Sequence, residues 1–79
     1  MVIPASRFPA LKAREVLRLL ARVGYRQERQ RGSHRKLVAD GRLPIGFAFH
    51  DRDEVPPKAL RRMLVERAGL TDEEVEDLL

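Results

Sequence analysis

One short stretch of the sequence holds most of the residues that could do chemistry. In RQRGSHRKL, residues 29–37, a histidine and a serine follow a glycine and stand among cationic side chains. Histidine suits proton transfer near neutral pH because its ordinary pKa lies there. Arginine and lysine bind phosphate oxygens through charge-assisted hydrogen bonds. The stretch therefore suggests chemistry on a phosphodiester, with His34 moving a proton.

RNA can be cleaved by few groups and without a metal. A base takes the proton of the ribose 2′-OH, which attacks phosphorus, while cations stabilise the phosphoryl oxygens and an acid protonates the leaving 5′-oxygen. Arg31, Arg35 and Lys36 are the candidate cations, and Gly32 would let a backbone approach closely. The product would be a 2′,3′-cyclic phosphate, and DNA would not be a substrate. On local chemistry alone, a histidine such as His34 is more often a surface side chain than a catalytic one.

Other chemistries find less support. Adjacent strand residues point to opposite faces, so Ser33 and His34 do not suit a hydrolase triad. A metal site built from His34, His50, Asp51 and Asp53 would rest only on proximity in sequence, which is a weak signal. The chain has no cysteine, which excludes disulfides, thiolate zinc sites and cysteine nucleophiles. We therefore predict no metal and no cofactor.

Charge is divided unevenly along the chain. Residues 1–50 carry eleven Lys or Arg against three acidic residues, whereas residues 51–79 carry five against nine. A basic surface of this density favours a polyanionic partner through release of condensed counterions. Thirteen of the sixteen cations are arginines, whose planar guanidinium suits phosphate binding. Codon composition or a heat-adapted source is the competing explanation, but the segregation favours nucleic acid.

The length of 79 residues suits a single domain, 1–79, with a small core. No apolar run approaches the roughly 18 residues of a membrane helix. Prolines and polar residues interrupt the N-terminal MVIPASRFPA, where a signal peptide would need a continuous apolar core. The sequence therefore predicts a cytoplasmic protein with no membrane segment.

A helix precedes the histidine stretch. In LKAREVLRLLARV, residues 11–23, apolar side chains recur at helical spacing, and Gly24 ends the helix. The other side of this helix has an arginine at every fourth position: Arg14, Arg18 and Arg22. Like charges at that spacing repel by about 0.2–0.5 kcal/mol per pair. The row is either a solvated face or a place for an anion.

Three strands follow this helix. YRQERQR is polar, Gly32 interrupts the pattern, and HRKLVA continues it. Asp40-Gly41 is typical of a two-residue hairpin turn between flanking strands. In LPIGFAFH, residues 43–50, apolar side chains occupy every second position, as a strand with one buried face requires. Those expected to face the core are Leu43, Ile45, Phe47 and Phe49.

The same alternation decides which side chains reach the open face of the sheet. His50 belongs to the alternate set of the last strand, so we expect it to point away from the core. If Leu37 faces the core, His34 and Lys36 also reach the open face, although Val38 favours the opposite assignment. The first assignment would put both histidines on one open face.

The C-terminal part, from DRDEVPPKALRRMLVERAGL onwards, is typical of a loop and a helix. Pro57 suits the helix start and Gly69 its end. Thr71 and Glu74 form a capping box, which predicts a short acidic helix over 71–79. The element order predicts an α+β fold, a two-layer α-β-β-β-α domain with its helices on one sheet face and a short extra C-terminal helix.

Four stretches, in this order, resemble the HicA family of mRNA-interferase toxins from prokaryotic toxin–antitoxin pairs. They are LKAREVLRLLARVGY (11–25), RQRGSHRKL (29–37), FAFH ending at His50, and VPPKALRRMLVERAGLTDEE (55–74). The resemblance spans most of the chain and implies a HicA-like core of roughly residues 10–70. It also implies a fold similar to double-stranded RNA-binding domains.

The resemblance implies roles for individual residues. In the family, the histidine after Gly-Ser is catalytic, and here that residue is His34. His50 matches a second histidine common at the end of the third strand, and Ser33 and His50 are the auxiliary candidates. The positions implied to contact RNA are Arg29, Arg31, Gly32, Arg35 and Lys36. The chain departs from the family in lacking a proline shortly before His50 and an aromatic residue at Leu37; neither change removes a group that the chemistry needs.

The resemblance also implies a function and a partner. The chain would be the toxin of a type II toxin–antitoxin system, a metal-independent endoribonuclease acting on mRNA. A HicB-like antitoxin would cover it and block RNA access. Two alternatives stay open: a non-catalytic RNA-binding module on the same scaffold, and a protein-binding adaptor whose charge serves solubility.

Overall fold

The computed structural model describes Pro4 and residues 7–79. Residues 1–3, 5 and 6 belong to the stretch that argues against a signal peptide, so that prediction falls partly outside the described residues. Within the described ranges, no helix has the length and apolarity to span a bilayer.

The predicted elements, a helix, three strands, a helix and a short C-terminal helix, are present in that order, together with others. In chain order, the strands and α-helices are β1 (Leu11–Lys12), α1 (Ala13–Arg22), β2 (Arg26–Arg31), β3 (His34–Val38), β4 (Ile45–Phe47), β5 (Glu54–Val55), α2 (Pro57–Arg61) and α3 (Asp72–Leu78). Strands β2, β3 and β4 form an antiparallel sheet in that order, so the α+β fold with three central strands is confirmed. The short β1–β5 ladder and the π-helical segment Arg62–Arg67, which continues α2, were not predicted.

Helix α1 forms where the apolar periodicity places it. The Lys12 N–H donates to the Glu15 carboxylate at 3.2 Å, which satisfies one of the free donors at the helix start. Val16 and Leu20 are fully buried, so the inner face is apolar. Gly24, at φ 100°, ends the helix in the left-handed region that glycine adopts without strain.

The core lies between the inner face of the sheet and the helices. Leu37, Ile45 and Phe47 of the sheet are at most 4% exposed. The fully buried side chains that complete this core are Val16, Leu20, Val55, Leu60, Leu64 and Val75. Helices therefore cover one sheet face only, as the two-layer prediction requires.

The connection between β3 and β4 differs from the predicted hairpin. Asp40-Gly41 does form a turn, because the Arg42 N–H donates to the Ala39 carbonyl at 3.2 Å. However, six residues separate Val38 from Ile45. Arg42 donates to two carbonyls at helix ends, those of Val23 at 3.2 Å and Ala68 at 2.6 Å. These bonds tie a longer loop to the helices.

Leu43 lies in this loop and is 52% exposed, so the prediction that it faces the core is wrong. Its carbonyl accepts the Tyr25 hydroxyl at 2.8 Å, and its N–H donates to the Arg67 carbonyl at 3.3 Å. The Leu43 carbonyl is thus bound by a side chain and the Leu43 N–H by a helix carbonyl, so neither takes part in the sheet. The alternation of buried and exposed residues in β4 begins only at Ile45. Burial also raises the pKa of the Tyr25 hydroxyl.

The C-terminal helix starts at the predicted capping box. The Thr71 hydroxyl accepts the Glu74 N–H at 3.1 Å, and the Glu74 carboxylate accepts the Thr71 N–H at 3.0 Å. The Thr71 backbone N–H, and to a smaller extent the Thr71 side chain, lower the pKa of the Glu74 carboxyl. Val75 and Leu78 fix α3 to the core, and the acidic residues of α3 lie away from it.

Candidate nucleic-acid interface

The tip of the β2–β3 hairpin sets the position of His34. Arg31 pairs directly with His34 across the two strands, and Gly32 and Ser33 form the turn between them. Gly32 has a φ of 60°, the left-handed conformation that such a two-residue turn requires. The Gln30 side chain donates to the Gly32 carbonyl at 3.0 Å and steadies this turn. Arg31 and His34 are therefore neighbours on the same face.

A β-bulge decides which arginines of β2 join them. Gln27 pairs with Leu37, but Arg29 pairs with Lys36, so Glu28 is an extra residue in the ladder. In a regular strand, residues 27 and 29 would share a face. The extra residue changes the alternation, so Gln27 lies on the side of Leu37 and Arg29 lies with Lys36.

The result is a shallow cationic cleft on the open sheet face. Its volume is about 230 Å³, and it is lined by Arg29, Arg31, His34 and Lys36. All four side chains are exposed, whereas Leu37 between Lys36 and Val38 is buried. Among the described residues, none forms a hydrogen bond or ion pair with the His34 side chain. Both of its ring nitrogens are thus available to a ligand.

Glu28, the bulge residue, reaches the edge of this cleft. Its carboxylate lies 3.3 Å from the Lys36 ammonium, and both side chains are about half exposed. No pattern in the sequence predicted this contact, because it depends on the bulge. An anionic ligand in the cleft would compete with Glu28 for Lys36.

Arg35 lies outside the cleft, on the opposite sheet face. It pairs with Phe47 of β4, and its side chain is only 14% exposed. Its Nη2 donates to the Asp51 carboxylate at 2.8 Å, while its buried Nη1 has no hydrogen-bond partner within the described part of the chain. The Arg35 hydrogen bond holds the pKa of Asp51 below its usual value. The structure thus separates Arg35 from the other four cleft-forming or turn-forming positions predicted to contact RNA.

His50 lies in the turn that follows β4 and does not line the cleft. Its N–H donates to the Asp53 carboxylate at 2.9 Å, and the Asp53 N–H returns a bond of 2.9 Å to the His50 carbonyl. The carbonyls of Asp53 and Asp51 accept the N–H groups of Ala13 and Arg14 at 2.8 and 3.3 Å. The turn is therefore fixed to the start of α1.

Two further sequence candidates can be placed. Ser33 is half-buried in the hairpin turn beside His34. Over Pro4 and residues 7–79, no three histidine or acidic side chains come close enough together to hold a metal ion, so His34, His50, Asp51 and Asp53 do not assemble into one site.

The order of elements and the position of this hairpin agree with a match to one protein family. A family model described as HicA toxin of bacterial toxin-antitoxin matches residues 13–70. The chain belongs to the HicA toxin family. The match runs from the start of α1, through the residues of the cleft, to Leu70, three residues after the π-helical segment, and it confirms the resemblance seen in the sequence. Searches of curated proteins and of solved structures gave no significant match.

Membership of the HicA family has two direct consequences. The α+β arrangement is the HicA fold, which is similar to double-stranded RNA-binding domains. The chain is the toxin of a toxin–antitoxin pair, and an antitoxin is its expected partner in general terms.

Proposed function

We propose that this HicA toxin is an endoribonuclease that cleaves mRNA in the cationic cleft. The observation that supports this function is the hairpin geometry, which surrounds one exposed imidazole with three cations. Arg29, Arg31 and Lys36 match the needs of a phosphodiester, since each donates charged hydrogen bonds to phosphate oxygens. mRNA as the substrate puts this activity in the cytoplasm.

In the proposed reaction, the ribose 2′-oxygen bonds to the adjacent phosphorus as the bond from phosphorus to the 5′-oxygen breaks. One proton leaves the 2′-OH and another reaches the 5′-oxygen. His34 carries out one of these transfers, because histidine is the side-chain type in the cleft that suits general acid or base catalysis. The cations stabilise the charge on the phosphoryl oxygens, and no metal is needed. Ser33 and His50 are the candidates for the second transfer.

We also infer that the antitoxin is of the HicB type and acts by covering the cleft. The cleft is open and carries three cations around His34. A protein that excludes RNA from it must satisfy those cations with carboxylates or carbonyls in place of phosphates, because buried unpaired charge is costly.

The test is cleavage of RNA by the purified protein in the presence of EDTA. The wild type should release a 2′,3′-cyclic phosphate, and replacing the scissile ribose by deoxyribose should stop the reaction. His34→Ala should slow cleavage by about 10²- to 10⁴-fold, the usual contribution of a general acid or base. His50→Ala tests the second transfer, since slower cleavage by this variant would assign that step to His50. Undiminished cleavage by His34→Ala, or loss of wild-type cleavage in EDTA, would contradict the mechanism.

A second function is favoured by one observation: no described residue orients the His34 ring. Catalytic histidines are commonly held by a second hydrogen bond. A non-catalytic RNA-binding module would keep the cations of the cleft and need no such bond. Wild-type protein that binds RNA with salt-dependent affinity but leaves it intact would establish this alternative.

A further inference from the structure

The cleft leaves a second cationic feature unexplained. Arg14, Arg18 and Arg22 are exposed along one side of α1, opposite its buried face. Four residues of helix rise by about 6 Å, so the row extends over about 12 Å. None of the three forms an ion pair with an acidic side chain in the part of the chain that the structure describes. We call these residues the arginine row.

Helix stability does not account for the arginine row. Arg14 lies in the first turn of α1, where the positive end of the helix dipole disfavours a cation. The nearby carboxylate of Glu15 is directed to the Lys12 N–H instead. Arg18 repels both of its neighbours in the row. Arg22 alone is favoured, because it lies in the last turn.

The arginine row and the cleft lie on opposite layers of the domain. The cleft is on the open sheet face, whereas the row is on the side of α1 that faces away from the core. The turn after β4 is next to the first arginine of the row, because the Asp51 carbonyl accepts the Arg14 N–H at 3.3 Å. The Asp51 carboxylate has Arg35 as its ion-pair partner at 2.8 Å, and Arg14 adds a weaker attraction that also lowers the Asp51 pKa. The row is therefore a cationic surface separate from the cleft.

We propose that the arginine row is a second RNA-binding site, which holds the phosphate backbone of an RNA long enough to pass from the cleft around the edge of the domain to α1. The proposal takes RNA as the ligand from the proposed function. The row adds three phosphate contacts to those of the cleft.

Two features favour RNA over an acidic protein as the ligand. The row presents one charge about every 6 Å along a line, which suits a chain with one charge per nucleotide. Protein interfaces, in contrast, are built around an apolar centre. The exposed large apolar side chains of the described residues are Leu43 and Leu79, and neither belongs to α1.

The experiment measures binding of a fluorescein-labelled 16-nucleotide single-stranded RNA by anisotropy, in the His34→Ala background. Arg14→Gln/Arg18→Gln should lower the slope of log affinity against log salt by about 1.4, since each phosphate contact on single strands contributes about 0.7. The ratio of the RNA affinity of the protein with the intact row to that of the variant should then fall about sevenfold between 50 and 200 mM salt. A four-nucleotide RNA, which fills only the cleft, should bind both proteins equally.

Lys58→Gln/Arg62→Gln is the charge-matched control, because both of these side chains are exposed on α2 and the segment after it. It should change the slope little. An equal loss of slope in this control would show a general charge effect and overturn the proposal. An unchanged slope in the Arg14→Gln/Arg18→Gln variant would also overturn it, including the case in which that variant weakens an antitoxin complex instead.

Two readouts separate this proposal from others. Arg14→Gln/Arg18→Gln should leave the thermal midpoint close to that of the wild type, because both side chains are exposed, so weaker RNA binding would not reflect unfolding. Cleavage by His34→Ala would contradict the catalytic role of His34 and leave the slope measurement valid. If the slopes differ as expected but the wild type cleaves no RNA, the arginine row is still an RNA-binding site and the proposed nuclease activity is wrong.

Discussion

The two faces of the central sheet are built from the same strands and follow different rules. On the inner face, Leu37 and Phe47 are buried against the helices, so shape and apolar area determine which side chains fit. On the outer face, His34 and Lys36 alternate with those residues and touch little protein. Neighbours in β3 therefore contribute to stability on one side and to ligand binding on the other.

Arg35 is the exception to this division. It is a charged residue on the inner face, at the rim of the core, where Asp51 satisfies one of its nitrogens. A cation is tolerated on that face because Arg35 is only the second residue of β3 and its partner Asp51 is exposed to solvent. The two faces of the sheet thus differ clearly in the middle of β3, whereas near its first residue an ion pair lies on the inner face.

The largest effect should come from the inner face. Phe47→Ala should lower the free energy of unfolding by about 3–5 kcal/mol, because it removes a fully buried ring. A chain of this length has about 4–12 kcal/mol in total, so the variant should be close to unfolding. Urea denaturation followed by circular dichroism measures the change.

His34→Ala is the partner variant on the outer face. It should change the free energy of unfolding by no more than about 0.5 kcal/mol, as exposed substitutions usually do. Equal destabilisation by the two substitutions would remove the distinction between the faces.

The ion pair of Arg35 and Asp51, at the rim of the inner face, should make the stability of the protein depend on pH in acid. The Arg35 hydrogen bond lowers the pKa of Asp51 below its usual value, so the folded state keeps this carboxylate ionised when the unfolded chain begins to take up the proton. The stabilisation is present above about pH 4 and is lost as the pH falls through the folded pKa. Asp51→Asn should be less stable than the wild type at pH 7, with a flatter fall of the urea midpoint below pH 4.

Asp40→Asn is the control for that measurement, since the Asp40 side chain is fully exposed and 3.8 Å from Arg26. Asp40→Asn should show the same fall of the urea midpoint below pH 4 as the wild type. A profile for Asp51→Asn that runs parallel to the wild type down to pH 3 would show that the Arg35 contact does not contribute.

The smallest effect should come from the edge of the cleft. Glu28→Gln frees Lys36 from the carboxylate 3.3 Å away, so RNA should bind more tightly by up to about fivefold, the equivalent of an exposed ion pair of at most about 1 kcal/mol. Anisotropy in the His34→Ala background measures the change. Glu66→Gln, an exposed residue of the π-helical segment, controls for the loss of one negative charge. Equal tightening by both would show that Glu28 acts only through net charge.

Much of the fold follows from local patterns. Val16 and Leu20 mark the inner face of α1 by their spacing, and Thr71 and Glu74 mark the start of α3 by their chemistry. Each of these signals acts between residues at most four apart, so the sequence displays both partners together. The alternation from Ile45 to Phe47 is equally local.

The parts that the sequence did not predict depend on distant partners. Arg35 meets Asp51 sixteen residues later, and Arg42 reaches carbonyls of two different helices. The candidate site was therefore predicted as a set of residue types around His34, but its membership was set by tertiary contacts. For that reason Glu28, which was not predicted, belongs to the edge of the cleft, and Arg35, which was predicted, lies outside it.

The bulge at Glu28 also determines how the cleft responds to a change in strand length. Removing Glu28 would make Gln27 and Arg29 adjacent in a regular ladder, where neighbouring residues point to opposite faces. Arg29 and Arg31 would then still pair with Lys36 and His34, so the cleft would keep its three cations and lose only the carboxylate beside Lys36. For a toxin gene, a three-nucleotide deletion of this codon should therefore leave a folded product with its cationic cleft intact.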